Sequence, residues 1–121
     1  LVKTNINDME LTNKIIFYIL RRKQEDTYMS VVIVGGHDRM VGQYKKLCKE
    51  YRCKAKVFTQ MSGNLSTQIG SPDLLILFTN TVSHKMVKCA VTEAEKCNAN
   101  IVRCHTSSKA ALNEILEKAC S

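Results

Sequence analysis

The 121-residue sequence has no tryptophan, one proline and five glycines, and only 6% of its residues are aromatic. So little proline and glycine excludes a collagen-like rod, while 45% hydrophobic and 24% charged content excludes a disordered tail and a porin. Long apolar runs are missing too. The longest, Ile15 to Leu20, falls far short of the ~20 residues a membrane-spanning helix requires, so no such helix is expected. Six cysteines are present, yet they lack the close pairs of a zinc ribbon and no signal peptide is evident ahead of them. They read as reduced thiols of a cytoplasmic protein. The length suits one compact domain rather than two. The net charge of +7 invites an anionic partner without naming a reaction.

Three motifs are also absent. Gly35-Gly36-His37-Asp38-Arg39-Met40-Val41-Gly42 does not supply the G-x-G-x-x-G of classical dinucleotide binding, and no Gly-Lys-Ser or Gly-Lys-Thr marks a P-loop. No serine has the G-x-S-x-G setting of a hydrolase elbow, and no acidic pair stands at a recognisable catalytic spacing. No familiar enzyme class is indicated.

What is present divides the chain at Met29. Residues 1–28 hold none of the cysteines, histidines or glycines and run from a polar start through Ile15 to Leu20 into Arg21-Arg22-Lys23. One reading is a short helix with a basic end. Another is upstream DNA read in frame: Gln24-Glu25-Asp26 can be written CAG-GAG-GAT, a purine-rich ribosome-binding sequence just ahead of the Met29 codon. On that expectation residues 1–28 are an N-terminal extension and 29–121 form the domain.

Within the domain, Ser30 to Val34 is a β-branched run closed by Gly35-Gly36, as expected of a central strand buried on both faces. Asp38 is placed to cap a helix with Val41, Tyr44, Leu47, Cys48 and Tyr51 on its inner face. Lys54 to Phe58 reads as a second strand, and Thr59 to Pro72 as loop with one helical turn near Leu65 to Ile69. Asp73 to Phe78 is another buried strand. Ser83 caps a helix with Val87, Ala90, Val91, Ala94 and Cys97 inward, and Ile101 to Cys104 is a fourth strand. Ser107 or Ser108 caps a last helix with Ala111, Leu112, Ile115, Leu116 and Ala119 inward. Alternating strands and helices imply a three-layer α/β fold, Rossmann-like or flavodoxin-like, with four parallel strands in the order 2-1-3-4.

In such sheets ligands bind beyond the carboxyl ends of the strands. The only three histidines, His37, His84 and His105, each follow a predicted strand at that edge. With them gather Gly35 and Gly36, whose missing side chains would let a ligand approach the backbone, and helix starts at Asp38, Ser83 and Ser107, whose free amides favour anions. Histidine is the commonest metal ligand, an axial ligand of haem and a proton carrier. Cys104, next to His105, offers a soft ligand, although strand alternation points neighbouring side chains apart. Arg39, Lys45, Lys46, Lys49, Arg52, Lys54 and Lys56 form the main charge cluster. It would reward nucleic-acid phosphates, but no aromatic stacking platform or helix-turn-helix accompanies it, so nucleic acid is not the favoured partner.

Gly35-Gly36-His37, the Asp73-Leu74-Leu75-Ile76 strand and above all Thr79-Asn80-Thr81-Val82-Ser83-His84 resemble the bacterial family known as domain of unknown function 2325. Tyr44 and Ser107-Ser108 extend the similarity over nearly all of Met29 to Glu117. The resemblance implies a small cytosolic Rossmann-like protein that self-associates as a homodimer. It also implies haem binding through histidine, with His37 and His84 as the carried-over ligands. Asn80 stands where similar sequences often carry an acidic residue. The leading expectation is a ligand-binding or sensor domain that holds haem or a metal through His37 and His84, in a site also formed by Gly35, Gly36, Asp38, Asn80, Thr81, Ser83, His105, Ser107 and Ser108. The alternatives are a phosphate- or nucleotide-recognising enzyme or regulator, and a basic module that binds protein or nucleic acid.

Overall fold

The computed structural model describes residues 28–120; both readings of the N-terminal stretch concern residues outside these, Tyr28 apart. Four strands, β1 (Met29–Val34), β2 (Cys53–Phe58), β3 (Leu74–Phe78) and β4 (Asn100–Cys104), make one all-parallel sheet in the order β2-β1-β3-β4. Between and after them run α1 (Val41–Glu50), the single turn α2 (Leu65–Ile69), α3 (His84–Lys96) and α4 (Lys109–Cys120). The fold class and strand order are those the sequence predicts. Among the described residues no helix is long and apolar enough to cross a membrane.

Strand alternation sorts the core into two layers. Val31, Ile33, Leu74, Ile76 and Phe78 face α1 and α4, where they pack with Tyr44, Leu47, Cys48, Leu112 and Leu116. Val32, Val34, Leu75 and Leu77 face α2 and α3, meeting Leu65, Ile69, Met86, Ala90 and Ala94. β1 and β3 are therefore covered on both sides, which is why both read as unbroken apolar runs. Each fully buried aliphatic side chain here contributes roughly 1.5–3 kcal/mol. Cys89, Cys97 and Cys104 are free thiols, and Cys48 and Cys53, the latter flanked by basic residues in the sequence, are buried.

Several local expectations change. α1 does not start on Asp38. A 3-10 turn, Asp38–Met40, precedes it, and no side chain caps either element. Asp73 lies just outside β3 and ties the strand starts together: its carboxylate accepts the Ser30 amide at 2.8 Å, its amide donates to the Ser30 carbonyl at 2.9 Å, and its carbonyl accepts the Asn100 amide at 3.0 Å. Met86, absent from the expected inner face of α3, is buried, whereas Val87 and Val91 are half-buried. Among the described side chains of α4, Leu112 and Leu116 are buried, Ala111 and Ile115 are half-buried and Ala119 is exposed, as the helix overhangs the β4 side of the sheet.

Candidate functional site at the carboxyl edge of the sheet

The strand order reverses between β1 and β3, and the loops leaving their carboxyl ends are stitched together. Gly35 and Gly36 follow β1 at φ of +114° and +88°, backbone that side chains rarely adopt. Both glycines are buried. A Cβ on Gly35 would come within 2.9 Å of the Phe78 carbonyl oxygen, Thr81 Oγ1 and Val82 Cγ1; one on Gly36 would lie 2.5 Å from the Tyr44 hydroxyl. The Gly35 amide donates to the Phe58 carbonyl at 2.9 Å and the Gly36 amide to Thr81 Oγ1 at 2.7 Å. The space and amides of the glycine pair are thus taken by the protein's own Thr81, Val82 and Tyr44, which differs from the expected close approach of a ligand.

Further bonds join the remaining loops. Thr59 Oγ1 and Gln60 Nε2 both donate to the Asp38 carboxylate, coupling the loops after β1 and β2. The Asn80 amide donates to the His105 carbonyl at 3.3 Å, coupling those after β3 and β4. The Tyr44 hydroxyl donates to the Ser107 carbonyl, fastening α1 to the loop before α4. The Tyr44 ring packs against Phe78 with centroids 5.4 Å apart. Burial pushes the Tyr44 phenol above its ordinary range, with the Ser107 side chain pulling the other way, so it remains a proton donor at neutral pH.

On this framework His37, His84 and His105 are all exposed, and no imidazole shares a hydrogen bond with another described residue. Their placement at one edge is as expected. Ser83 Oγ accepts the Met86 amide at 3.2 Å, and Ser108 Oγ accepts the Ala111 amide at 3.1 Å, so Ser108 rather than Ser107 caps α4. The first two amides of each helix, His84 and Lys85 in α3, Lys109 and Ala110 in α4, have no partner among the described residues. Arg39, Lys85 and Lys109 are exposed on the same edge, where the Asp38 carboxylate is engaged by Thr59 and Gln60. Sequence reasoning missed Lys85 and Lys109. The signal was there: each sits in the first turn of a helix lacking an acidic residue in that turn, against the macrodipole.

Haem does not fit these residues. A porphyrin needs an apolar slot beside its axial imidazole, but Tyr44 and Phe78 are fully buried against one another and the histidines stand among exposed Asp38, Arg39, Asn80, Ser83 and Lys85. Among the described residues no group of three His, Cys, Asp or Glu side chains is placed to hold a metal ion, so His37 and His84 find no third ligand there.

An all-parallel, four-stranded sheet with helices on both faces and loops gathered at its switch point defines a small doubly wound α/β domain. Residues 30–119 match the family of uncharacterised proteins conserved in bacteria called domain of unknown function 2325, and the chain belongs to that family. Comparison with curated proteins and with solved structures returns no match.

Proposed function

We propose that the domain is a recognition module for an anionic, phosphate-bearing small ligand held across the carboxyl edge of the sheet. The open amides at the starts of α3 and α4 and the ammonium groups of Lys85 and Lys109 bind the anion. His37, His84 and His105 flank it, with Asn80 and Ser83 as polar neighbours. One observation carries the reading. A cation in the first turn of a helix costs about 0.3–1 kcal/mol against the macrodipole, and both helices place a lysine there with no acidic residue to offset it. A bound anion turns that cost into an attraction, and the exposed histidines add donors beside it.

Calorimetric titration of the full chain with pyrophosphate and with ADP tests this. Lys85→Glu and Lys109→Glu should each weaken binding about tenfold, which is about 1.4 kcal/mol. The same changes should raise the melting temperature of the unliganded protein slightly, since an acid suits a first turn. A protein that takes up neither probe, or a double variant that binds as well as the wild type, would end this assignment.

A further inference from the structure

The two lateral flanks of the sheet differ in charge. Beside β4, next to the overhanging part of α4, lies an open trough of 580 Å³ lined by Val102, Cys104 and Ile115 together with Arg103, Glu114 and Lys118, so both signs meet there. The groove along the outer side of β2 carries one sign. It measures 430 Å³, and Ala55, Val57 and Phe58 of β2 line it with Lys56, with Lys45 of α1 and with Gln68 of α2. Lys54, on the same face of the strand as Lys56, is exposed like it, and Lys49 is exposed one turn along α1 from Lys45. Among the described residues no carboxylate pairs with Lys45, Lys49 or Lys56. The Lys56 ammonium donates to the Gln68 carbonyl at 3.1 Å, a neutral acceptor that holds the charge at the groove without cancelling it.

β2 runs in unbroken register against β1, Cys53 to Phe58 beside Met29 to Val34, and among the described residues no strand lies on its other side. The Phe58 carbonyl accepts the Gly35 amide at 2.9 Å. By alternation, Lys54, Lys56 and Phe58 turn their backbone groups toward β1, and Ala55 and Val57 turn theirs outward into the groove. Lysine on an edge strand ordinarily keeps other strands away. That deterrent works on basic and apolar strands; toward an acidic strand the same ammonium groups attract.

We propose that the β2 flank takes an extended acidic peptide of a partner protein as a further strand of the sheet. Main-chain hydrogen bonds to Ala55 and Val57 supply the pairing, and carboxylates at alternate positions face Lys54 and Lys56. The residues between them lie on the α1 face beside Ala55 and Val57, within the field of Lys45 and Lys49. Acidic charge there also relieves the repulsion between those two lysines, one turn apart on their helix. The surface is separate from the anion site proposed above, whose lysines follow β3 and β4.

Fluorescence anisotropy of a labelled peptide alternating glutamate with valine, titrated with the full chain, provides the test. Binding is expected, and it should weaken as salt rises. Lys45→Glu and Lys56→Glu should each lower the affinity about tenfold. Lys88→Glu on α3, an equal change of charge elsewhere, should leave it unchanged. All three side chains are exposed, so folding is not at stake. The same peptide with its amides N-methylated keeps the charges but cannot form the ladder, and it should not bind. A peptide left free by the full chain, or an N-methylated peptide that binds as well, would overturn the proposal. So would a loss at Lys88→Glu equal to that at Lys56→Glu, or a single-stranded oligonucleotide that binds more tightly than the peptide through the same two lysines.

Discussion

At the carboxyl edge of the sheet, each strand-end loop is tied to a neighbour by a hydrogen bond; along the β4 flank, the described residues offer a half-covered apolar trough. The edge reaches order by spending polar groups on one another. Asp38, Thr81 and the Ser107 carbonyl are all occupied within the fold, and the exposed charges left without a partner there are those of Arg39, Lys85 and Lys109. The flank leaves apolar side chains that neither α3 nor α4 fully covers. Small ligands and protein surfaces ask for these two things respectively: fixed polar groups in the first case, unburied apolar area in the second.

The contrast can be broken most sharply at Gly36. Gly36→Ala puts a methyl group 2.5 Å from the Tyr44 hydroxyl on backbone at φ +88°. Left-handed strain of about 1–2 kcal/mol adds to about 1–3 kcal/mol of overpacking. A loss of roughly 4 kcal/mol is expected in urea unfolding, and a change below 1 kcal/mol would show that the edge is not packed as described. Next comes a matched pair in α4. Leu112→Ala, fully buried, should cost about 3 kcal/mol. Half-buried Ile115→Ala, on the trough, should cost about 1 kcal/mol under monomeric conditions. Equal losses would mean that the trough is covered after all.

A similarly small effect belongs to Tyr44→Phe, which removes the hydroxyl bond to the Ser107 carbonyl and should cost about 1 kcal/mol. It also carries a pH signature. The Tyr44 phenol holds its proton more tightly folded than unfolded, so its contribution is fully present below the ordinary tyrosine value of 10.0 and is lost as pH rises through the higher folded value. Stability measured from neutral pH upward should therefore fall more steeply in the wild type than in Tyr44→Phe above that point. Parallel curves would remove the phenol from the account.

The central strands were legible because a strand covered on both faces must be apolar throughout, as Val31 to Val34 and Leu74 to Phe78 are. From those two runs and the intervening helical periods, the strand order followed, and with it the edge on which all three histidines would fall. Side-chain partners distant in sequence were not legible. Gly35-Gly36 gives the same local signal whether a ligand or Tyr44 and Thr81 fills the space, and Asp38 looks like a cap until Thr59 and Gln60 arrive from the next loop. Helical periodicity likewise assigned Ala119 to an inner face. It marks a side of the helix without showing where the sheet beneath that side ends.

Loops at strand ends ordinarily exchange their amide hydrogens early, since they open without disturbing the core. The Gly36 amide is buried and bonded to Thr81 Oγ1, so releasing it means separating the ends of β1 and β3. Its proton should exchange with the slow amides of β1 rather than with those of a surface turn. An edge that opens only with its core meets an incoming ligand already in shape, and little of the binding free energy is lost to ordering it.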